Sequence, residues 1–257
     1  MAPNSRDALA LRRDRGLLRW RGPAVVLFAR SVLAVAAQGV VAAILVLGGS
    51  AVAWQDSEAW LPVYGTLIDL GCLALIWRFT RREGIRLFDL IGFERARLTR
   101  DVLLGLLLIP LSLVFILGGV YFGSWLVFGT PTGPYTSGQL PLPAALYGVL
   151  IWPWLWGLTE QMTYNGYLLP RFQVLSRSTA VAVAVVSFSW AAQHAFMPMT
   201  FDGEFMVYRL VAAVPNSVFQ TMLYLRLRRV LPFAIAHALL DGASVLIGVL
   251  LPALRAG

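Results

Sequence analysis

Seven apolar stretches, each about as long as a membrane-spanning helix, occupy most of this chain and constrain its fold more than any other feature. A helix needs roughly 20 apolar residues to cross a bilayer, and lipid-exposed backbone must satisfy its own hydrogen bonds. The sequence therefore predicts an all-α, polytopic membrane protein. Only 13% of its 257 residues are charged, against about 25% in soluble domains. The predicted spans are 24–50, 60–78, 102–127, 142–168, 179–198, 206–225 and 231–252.

The arginines predict the orientation of these spans, because cytoplasmic loops carry an excess of positive charge. They cluster in the N-terminal segment and in the connections after the second, fourth and sixth spans. The intervening loops carry Asp56 and Glu58, no charge (128–140), or Asp202 and Glu204. This alternation predicts a cytoplasmic N-terminus. It also places the positive charge at membrane edges, which indicates contact with the lipid bilayer rather than with nucleic acid.

Proline and glycine are scattered along the chain, so no linker divides it. The sequence predicts a single transmembrane domain at 23–257, preceded by a basic cytoplasmic tail at 1–22. The tail is either a short amphipathic helix on the inner leaflet or disordered, and the sequence leaves both open. Lysine is absent, which excludes a Schiff-base lysine and a phosphate-loop lysine. The oligomeric state is not predicted.

Four ionisable side chains lie at membrane depth on three different spans: Glu160, His194, His237 and Asp241. Such groups are costly in a bilayer, so each needs a partner or a function. Residues four apart share a helix face, which gives the pairs Glu160/Tyr164, Trp190/His194 and His237/Asp241. Counting about 1.5 Å per residue from the arginine-rich side puts Glu160 at a depth of about 16 Å, His237 at about 12 Å and His194 at about 25 Å. The sequence predicts one shared site in the inner half of the membrane.

These residues resemble the motifs of the CPBP family, which comprises CAAX prenyl endopeptidases and bacteriocin-processing, or Abi, membrane proteases. The family's Glu-Glu-xxx-Arg motif, with its following Gly and Leu-Pro-Arg-like run, is similar to residues 160–171. Its Phe-xxx-His motif is similar to 190–194, and its His-xxx-Asn/Asp motif to 237–241. The resemblance covers about residues 140–245.

Two positions depart from the first motif. Gln161 stands where the family has its second glutamate, and Asn165 stands where it has arginine. An acidic residue and its cationic partner are thus both replaced by amides. Because the two amides are four residues apart, they are able to hydrogen-bond to each other without burying charge.

The resemblance implies a glutamate-type intramembrane endopeptidase without a cofactor. Glu160 would activate water that His194 orients, and His237 with Asp241 would stabilise the oxyanion. The resemblance implies cleavage of a peptide or membrane-protein substrate near the inner membrane face. The arginine-only, alanine-rich composition favours a bacterial plasma membrane, where a prenylated CAAX substrate is not expected. The supporting residues would be Gln161, Tyr164, Asn165 and Trp190.

Two alternatives use the same spans differently. A catalytically inactive scaffold, immunity or binding protein of the same fold is favoured by Gln161 and Asn165. A zinc-dependent metalloprotease would use Glu160, His194 and His237, a ligand set that suits zinc, although the usual HExxH spacing is absent.

Asp69, in the middle of the second span, is a further polar outlier. It is predicted to pair with Arg30 or Gln38 as a structural contact. In a proton-coupled transporter, Asp69 would instead act as a relay with Glu160 and Asp241, but the sequence has no internal repeat to support that interpretation.

Overall fold

The computed structural model describes residues 2–134 and 139–256, and each regular element in these ranges is helical, which confirms the all-α prediction. Residues 135–138 of the uncharged loop 128–140 lie outside the described residues, as do Met1 and Gly257. The α-helices are α1 Arg6–Asp14, α2 Arg21–Leu47, α3 Ala53–Glu58, α4 Leu61–Arg82, α5 Leu98–Phe128, α6 Leu142–Leu150, α7 Trp152–Gln161, α8 Leu169–Ser176, α9 Thr179–Gln193, α10 Gly203–Leu227, α11 Leu231–Val245 and α12 Leu251–Ala256. Short 3-10 helices lie at Leu87–Leu90, Arg95–Arg97 and His194–Phe196, and π-helices at Met162–Leu168 and Leu246–Leu250.

Five helical stretches in the described ranges are long and apolar enough to span a membrane, and a sixth span results if the bent pair α6 and α7–α8 counts as one. The chain is therefore an integral membrane protein. Helix α10 fills the predicted span at 206–225. It is not among the apolar stretches, because it carries polar side chains on its buried face, including Ser217, Gln220 and Thr221. The count of seven spans and the cytoplasmic N-terminus remain predictions.

The fourth predicted span is interrupted twice by proline. Helices α6 and α7 meet at a bend of 43°, next to Pro153, whose ring clashes with the preceding turn and which has no N–H to donate. Further along, Pro170 has no N–H for the carbonyl of Gly166, and the helix widens into the π-helix Met162–Leu168. The side-chain amide of Asn4 donates to that carbonyl instead, at 2.8 Å.

Glycines bring the helices around this interrupted span close together. A Cβ added at Gly157 in α7 would lie 2.9 Å from the backbone nitrogen of Ala238 in α11. A Cβ added at Gly119 in α5 would lie 2.1 Å from the carbonyl oxygen of Ala212 in α10. Small residues allow such close packing of helix backbones in membranes. The α7–α11 contact lies one turn from Glu160 and holds that residue beside α11.

The N-terminal segment is helical and packed against the rest of the protein. Leu9 of α1 and Leu18 are buried against Ile85 and Val174, at the arginine-rich end of the helical bundle. The structure shows a helix at Arg6–Asp14, and protein covers its apolar side. A position on the inner leaflet stays a prediction.

Candidate active site

A cavity of about 460 Å³ lies between α5, α7, α9, α10 and α11. All four predicted catalytic side chains line it: Glu160, His194, His237 and Asp241. The structure therefore brings together three spans that are far apart in the sequence around one space that is large enough for a small ligand or a short peptide segment.

The carboxylate of Glu160 is buried, and only one of its two oxygens accepts hydrogen bonds. The indole N–H of Trp190 and the amide of Gln193, the latter at 2.7 Å, both donate to Oε1. The second oxygen, Oε2, has no hydrogen-bond partner among the described residues and lies 3.6 Å from Nη2 of Arg30. The side chain is thus fixed in orientation, while one carboxylate oxygen is buried beside Arg30 without a hydrogen bond.

Arg30 of α2 is the cation beside Glu160, and the sequence analysis did not place it there. Its guanidinium is fully buried and ion-pairs with Asp69 at 2.8 Å. It also donates to Gln193 Oε1 at 2.9 Å and lies 4.2 Å from the ring centroid of Trp156. The predicted structural pairing of Asp69 with Arg30 is confirmed. Arg30 was recognisable in the sequence as an arginine inside an apolar span.

Gln193 connects the acidic and aromatic parts of the site. Its carbonyl oxygen accepts from the Tyr164 hydroxyl at 3.1 Å as well as from Arg30, and its amide nitrogen donates to Glu160. Tyr164 in turn stacks on Trp190, with ring centroids 5.2 Å apart and planes 6° from parallel. Sequence reasoning missed Gln193, although a buried amide directly before His194 is itself a polar group that needs partners.

His194 ends α9, and its backbone carbonyl is tied to α10. Its Nδ1 lies 3.0 Å from the carbonyl oxygen of Trp190. A carbonyl oxygen can only accept a hydrogen bond, so the ring proton sits on Nδ1. The neutral ring then offers Nε2 as an acceptor, and this atom has no hydrogen-bond partner among the described residues. Arg209 donates to the backbone carbonyls of His194 at 3.3 Å and Met197 at 2.7 Å, which fixes the turn that carries the imidazole.

The two amides that replace the charged pair of the motif hold His237. Asn165 donates to Gln161 Oε1 at 2.7 Å, as their spacing suggested. The Gln161 amide nitrogen donates to Gln220 at 2.6 Å and to Nδ1 of His237 at 3.3 Å. Because this nitrogen only donates, Nδ1 accepts and the neutral ring carries its proton on Nε2, 3.3 Å from Asp241 Oδ2. Gln161 thus sets the tautomer of His237.

The residues of the zinc alternative do not form a metal site. Within residues 2–134 and 139–256, no group of three or more His, Cys, Asp and Glu side chains is arranged to hold a metal ion. The zinc-dependent mechanism stays an alternative prediction.

The outer end of the cavity is formed by residues at the loops that lack arginine clusters, among them Glu58, Pro198 and Arg209. Glu58 ends α3, outside the spans, where partial burial raises the pKa of its carboxyl. The lining of the cavity extends from Glu160 toward the face without arginine clusters. Cleavage near the inner, arginine-rich face stays a prediction.

Comparison with known proteins identifies the part of the chain that contains this site. The family model described as type II CAAX prenyl endopeptidase Rce1-like matches residues 139–243. Neither the curated proteins nor the solved structures gave a match. The matched segment includes Glu160 and both histidines, and it agrees with the resemblance covering about residues 140–245. Residues 139–243, which supply all four candidate catalytic side chains, are therefore similar to the Rce1-like type II CAAX prenyl endopeptidases, a family of membrane proteases.

Proposed function

We propose that this chain hydrolyses a peptide bond inside the membrane and that Glu160 is the general base. Glu160 takes a proton from a water molecule, whose oxygen attacks the peptide carbonyl carbon. The hydrogen bonds of Glu160 carry the proposal, since Trp190 and Gln193 hold one carboxylate oxygen while Oε2 has no hydrogen-bond partner among the described residues. A base in a fixed orientation with one oxygen that makes no hydrogen bond is suited to proton abstraction.

The other side chains of the cavity have complementary roles in this reaction. His194 accepts a hydrogen bond at Nε2 from the attacking water and orients it. His237 donates its single Nε2–H to the oxyanion that forms on the peptide oxygen. Asp241, whose Oδ2 lies 3.3 Å from that nitrogen without a hydrogen bond, supplies a second donor in its protonated form. When the intermediate collapses, Glu160 returns its proton to the leaving amine, so the proton count balances. Arg30, 3.6 Å from Glu160, stabilises the ionised carboxylate before the attack.

The substrate in this proposal is a peptide or membrane protein, and the location is the bacterial plasma membrane. The wall of the cavity supports an apolar polypeptide segment as ligand, since Leu113, Ile116 and Val120 of α5 face it. The arginine-only composition supports a bacterial host, in which a prenylated CAAX substrate is not expected.

The test compares newly formed protein N-termini in the membranes of host cells that express wild type, Glu160→Gln or the control Glu204→Gln. Glu204 is an exposed carboxylate in the first turn of α10 and lies outside the cavity. N-terminal mass spectrometry should find the same cleavage products with wild type and Glu204→Gln, and none with Glu160→Gln. A synthetic peptide spanning a product site then measures cleavage by purified protein, where losing the base should reduce the rate by about 10²-fold or more.

Two outcomes would reject this mechanism. Cleavage that persists with Glu160→Gln would remove Glu160 as the base, and inhibition by a chelator would indicate a metal-dependent reaction. If wild type forms no new N-termini while mutations of the cavity rim alter the cellular phenotype, the inactive scaffold would replace the protease.

A further inference from the structure

The cavity extends from Glu160 toward one end of the helical bundle only. The positions of its lining residues along each helix show which end this is. Helix α7 runs toward the arginine-rich end of the bundle, and its lining residues stop at Glu160. Helix α10 runs the same way, and its lining residues stop at Gln220. Helix α11 starts at the arginine-rich end, and its lining residues begin only at His237. These three polar residues form the floor, and the space extends from them toward the face without arginine clusters.

The same space separates α5 from α11. Near their arginine-rich ends the two helices touch closely, since a Cβ added at Gly105 would lie 2.9 Å from Ile235. Two turns further along α5, Leu113 instead lines the cavity, as does Ser244 on α11. The two helices therefore meet at one end and have the cavity between them at the other.

Residues on both edges of this gap are accessible to solvent. Leu113 is 37% exposed, and Ser244 is also exposed, yet both line the cavity that contains Glu160. One edge is thus apolar and the other polar, with His237 and Asp241 beyond them. Such a gap suits a polypeptide that enters from lipid and presents its backbone to a polar floor.

We infer that the substrate is a membrane-tethered polypeptide that reaches Glu160 from the membrane half opposite the arginine-rich loops, through a lateral opening between α5 and α11. This inference rests on the proposed function for its substrate. The geometry of the opening is independent of catalysis. The opening is therefore tested in an experiment of its own, so that a failure of the lateral opening is distinguished from a failure of the protease proposal.

The first experiment measures from which side the opening is accessible to water. In a Cys72→Ala background, which removes the chain's single, buried cysteine, Ser244→Cys is the probe. Phe201→Cys, in the exposed loop before α10, and Arg95→Cys, in the arginine-rich loop, mark the two faces. A membrane-impermeant maleimide is applied to vesicles of each orientation, and the extent of labelling is measured by mass spectrometry.

Ser244→Cys should react from the same side as Phe201→Cys and from the opposite side to Arg95→Cys. Labelling from the Arg95 side, or none from either side, would overturn the inference. Ala213→Cys, a second lining position on α10, provides the same measurement if Ser244→Cys fails to fold. The result does not depend on activity and should be unchanged when Glu160→Gln is added.

The second experiment narrows the opening. Ser244→Trp should slow cleavage of a membrane-tethered peptide, carrying a site found by N-terminal mass spectrometry, by about tenfold. Ile247→Trp is the matched control, since Ile247 is 68% exposed less than one turn away and does not line the cavity. Equal rates for the two variants would refute lateral entry. If wild type cleaves no peptide at all, the protease proposal fails while the labelling result still decides the position of the opening.

Discussion

Replacing Arg30 by glutamine should destabilise the protein more than any change to a surface ion pair. Arg30 and Asp69 are both fully buried, with Arg30 Nη1 and Asp69 Oδ1 2.8 Å apart, and Asp69 Oδ2 has no hydrogen bond among the described residues. The substitution leaves Asp69 charged and unpaired and also removes the positive charge 3.6 Å from Glu160. Breaking a buried pair in this way costs about 3–5 kcal/mol.

A double-mutant cycle separates the pairing from the loss of the side chain itself. Asp69→Asn keeps the shape of the side chain and removes the negative charge that Arg30→Gln would leave without a partner. The double variant should therefore be more stable than the sum of the single losses predicts, with a coupling free energy of about 0.5–3 kcal/mol. Unfolding in mixed micelles with increasing SDS, followed by tryptophan fluorescence, provides the free energies.

Arg97→Gln is the matched control for this cycle. Arg97 also ion-pairs with a carboxylate, Glu94 at 2.9 Å, but both side chains are more than half exposed. An exposed pair of this kind contributes about 0–1 kcal/mol. Strict additivity of Arg30→Gln and Asp69→Asn, or a loss no larger than that of Arg97→Gln, would refute the assignment of Arg30 as the cation that balances this site.

Two further predictions concern the amide network and the helix contacts. Gln161→Glu should cost several kcal/mol, because it buries a carboxylate without a cation. Adding Asn165→Arg should recover at least about 0.5 kcal/mol of that loss, measured by the same SDS titration, and no recovery would mean that the new charges do not interact. Gly119→Ala should destabilise by about 1–3 kcal/mol, because its Cβ would lie 2.1 Å from the Ala212 carbonyl oxygen. The neighbouring Gly118→Ala meets nothing within 4 Å and should be neutral or slightly stabilising, so equal melting temperatures for the two variants would contradict the packing.

The sequence predicted an all-helical chain with several apolar stretches long enough to span a membrane, because apolar length is a local property. The count of seven spans stays a prediction. The sequence also predicted the hydrogen bond between Gln161 and Asn165, since four residues on one helix are a fixed distance apart. The π-helix at Met162–Leu168 was not predicted. It depends on Pro170, which has no N–H to donate to the carbonyl of Gly166. It also depends on Asn4, whose side-chain amide donates to that carbonyl from the N-terminal segment.

The face toward which the cavity extends could not be predicted from the sequence either. Counting residues from the arginines gives a depth for Glu160 but does not say on which side of it the helices separate. That depends on where glycines bring helices into contact, and Gly105 places the α5–α11 contact at the arginine-rich end. A glycine in an apolar span gives no sign of which neighbouring helix it will meet, so this feature required the structure.

The buried charges explain how the site tolerates its two amides. With Asn165 in place of the motif's arginine, residues 160–171 contain one cation, Arg171, and its guanidinium is engaged by Glu83 at 2.5 Å. The positive charge beside Glu160 comes instead from Arg30 on α2, which lies outside residues 139–243. Arg30 in turn requires Asp69, because a lone buried guanidinium would be as costly as a lone carboxylate. The electrostatic balance of the segment 139–243 is therefore completed by the two helices α2 and α4, and the carboxylate of Glu160 depends on residues that lie outside that segment.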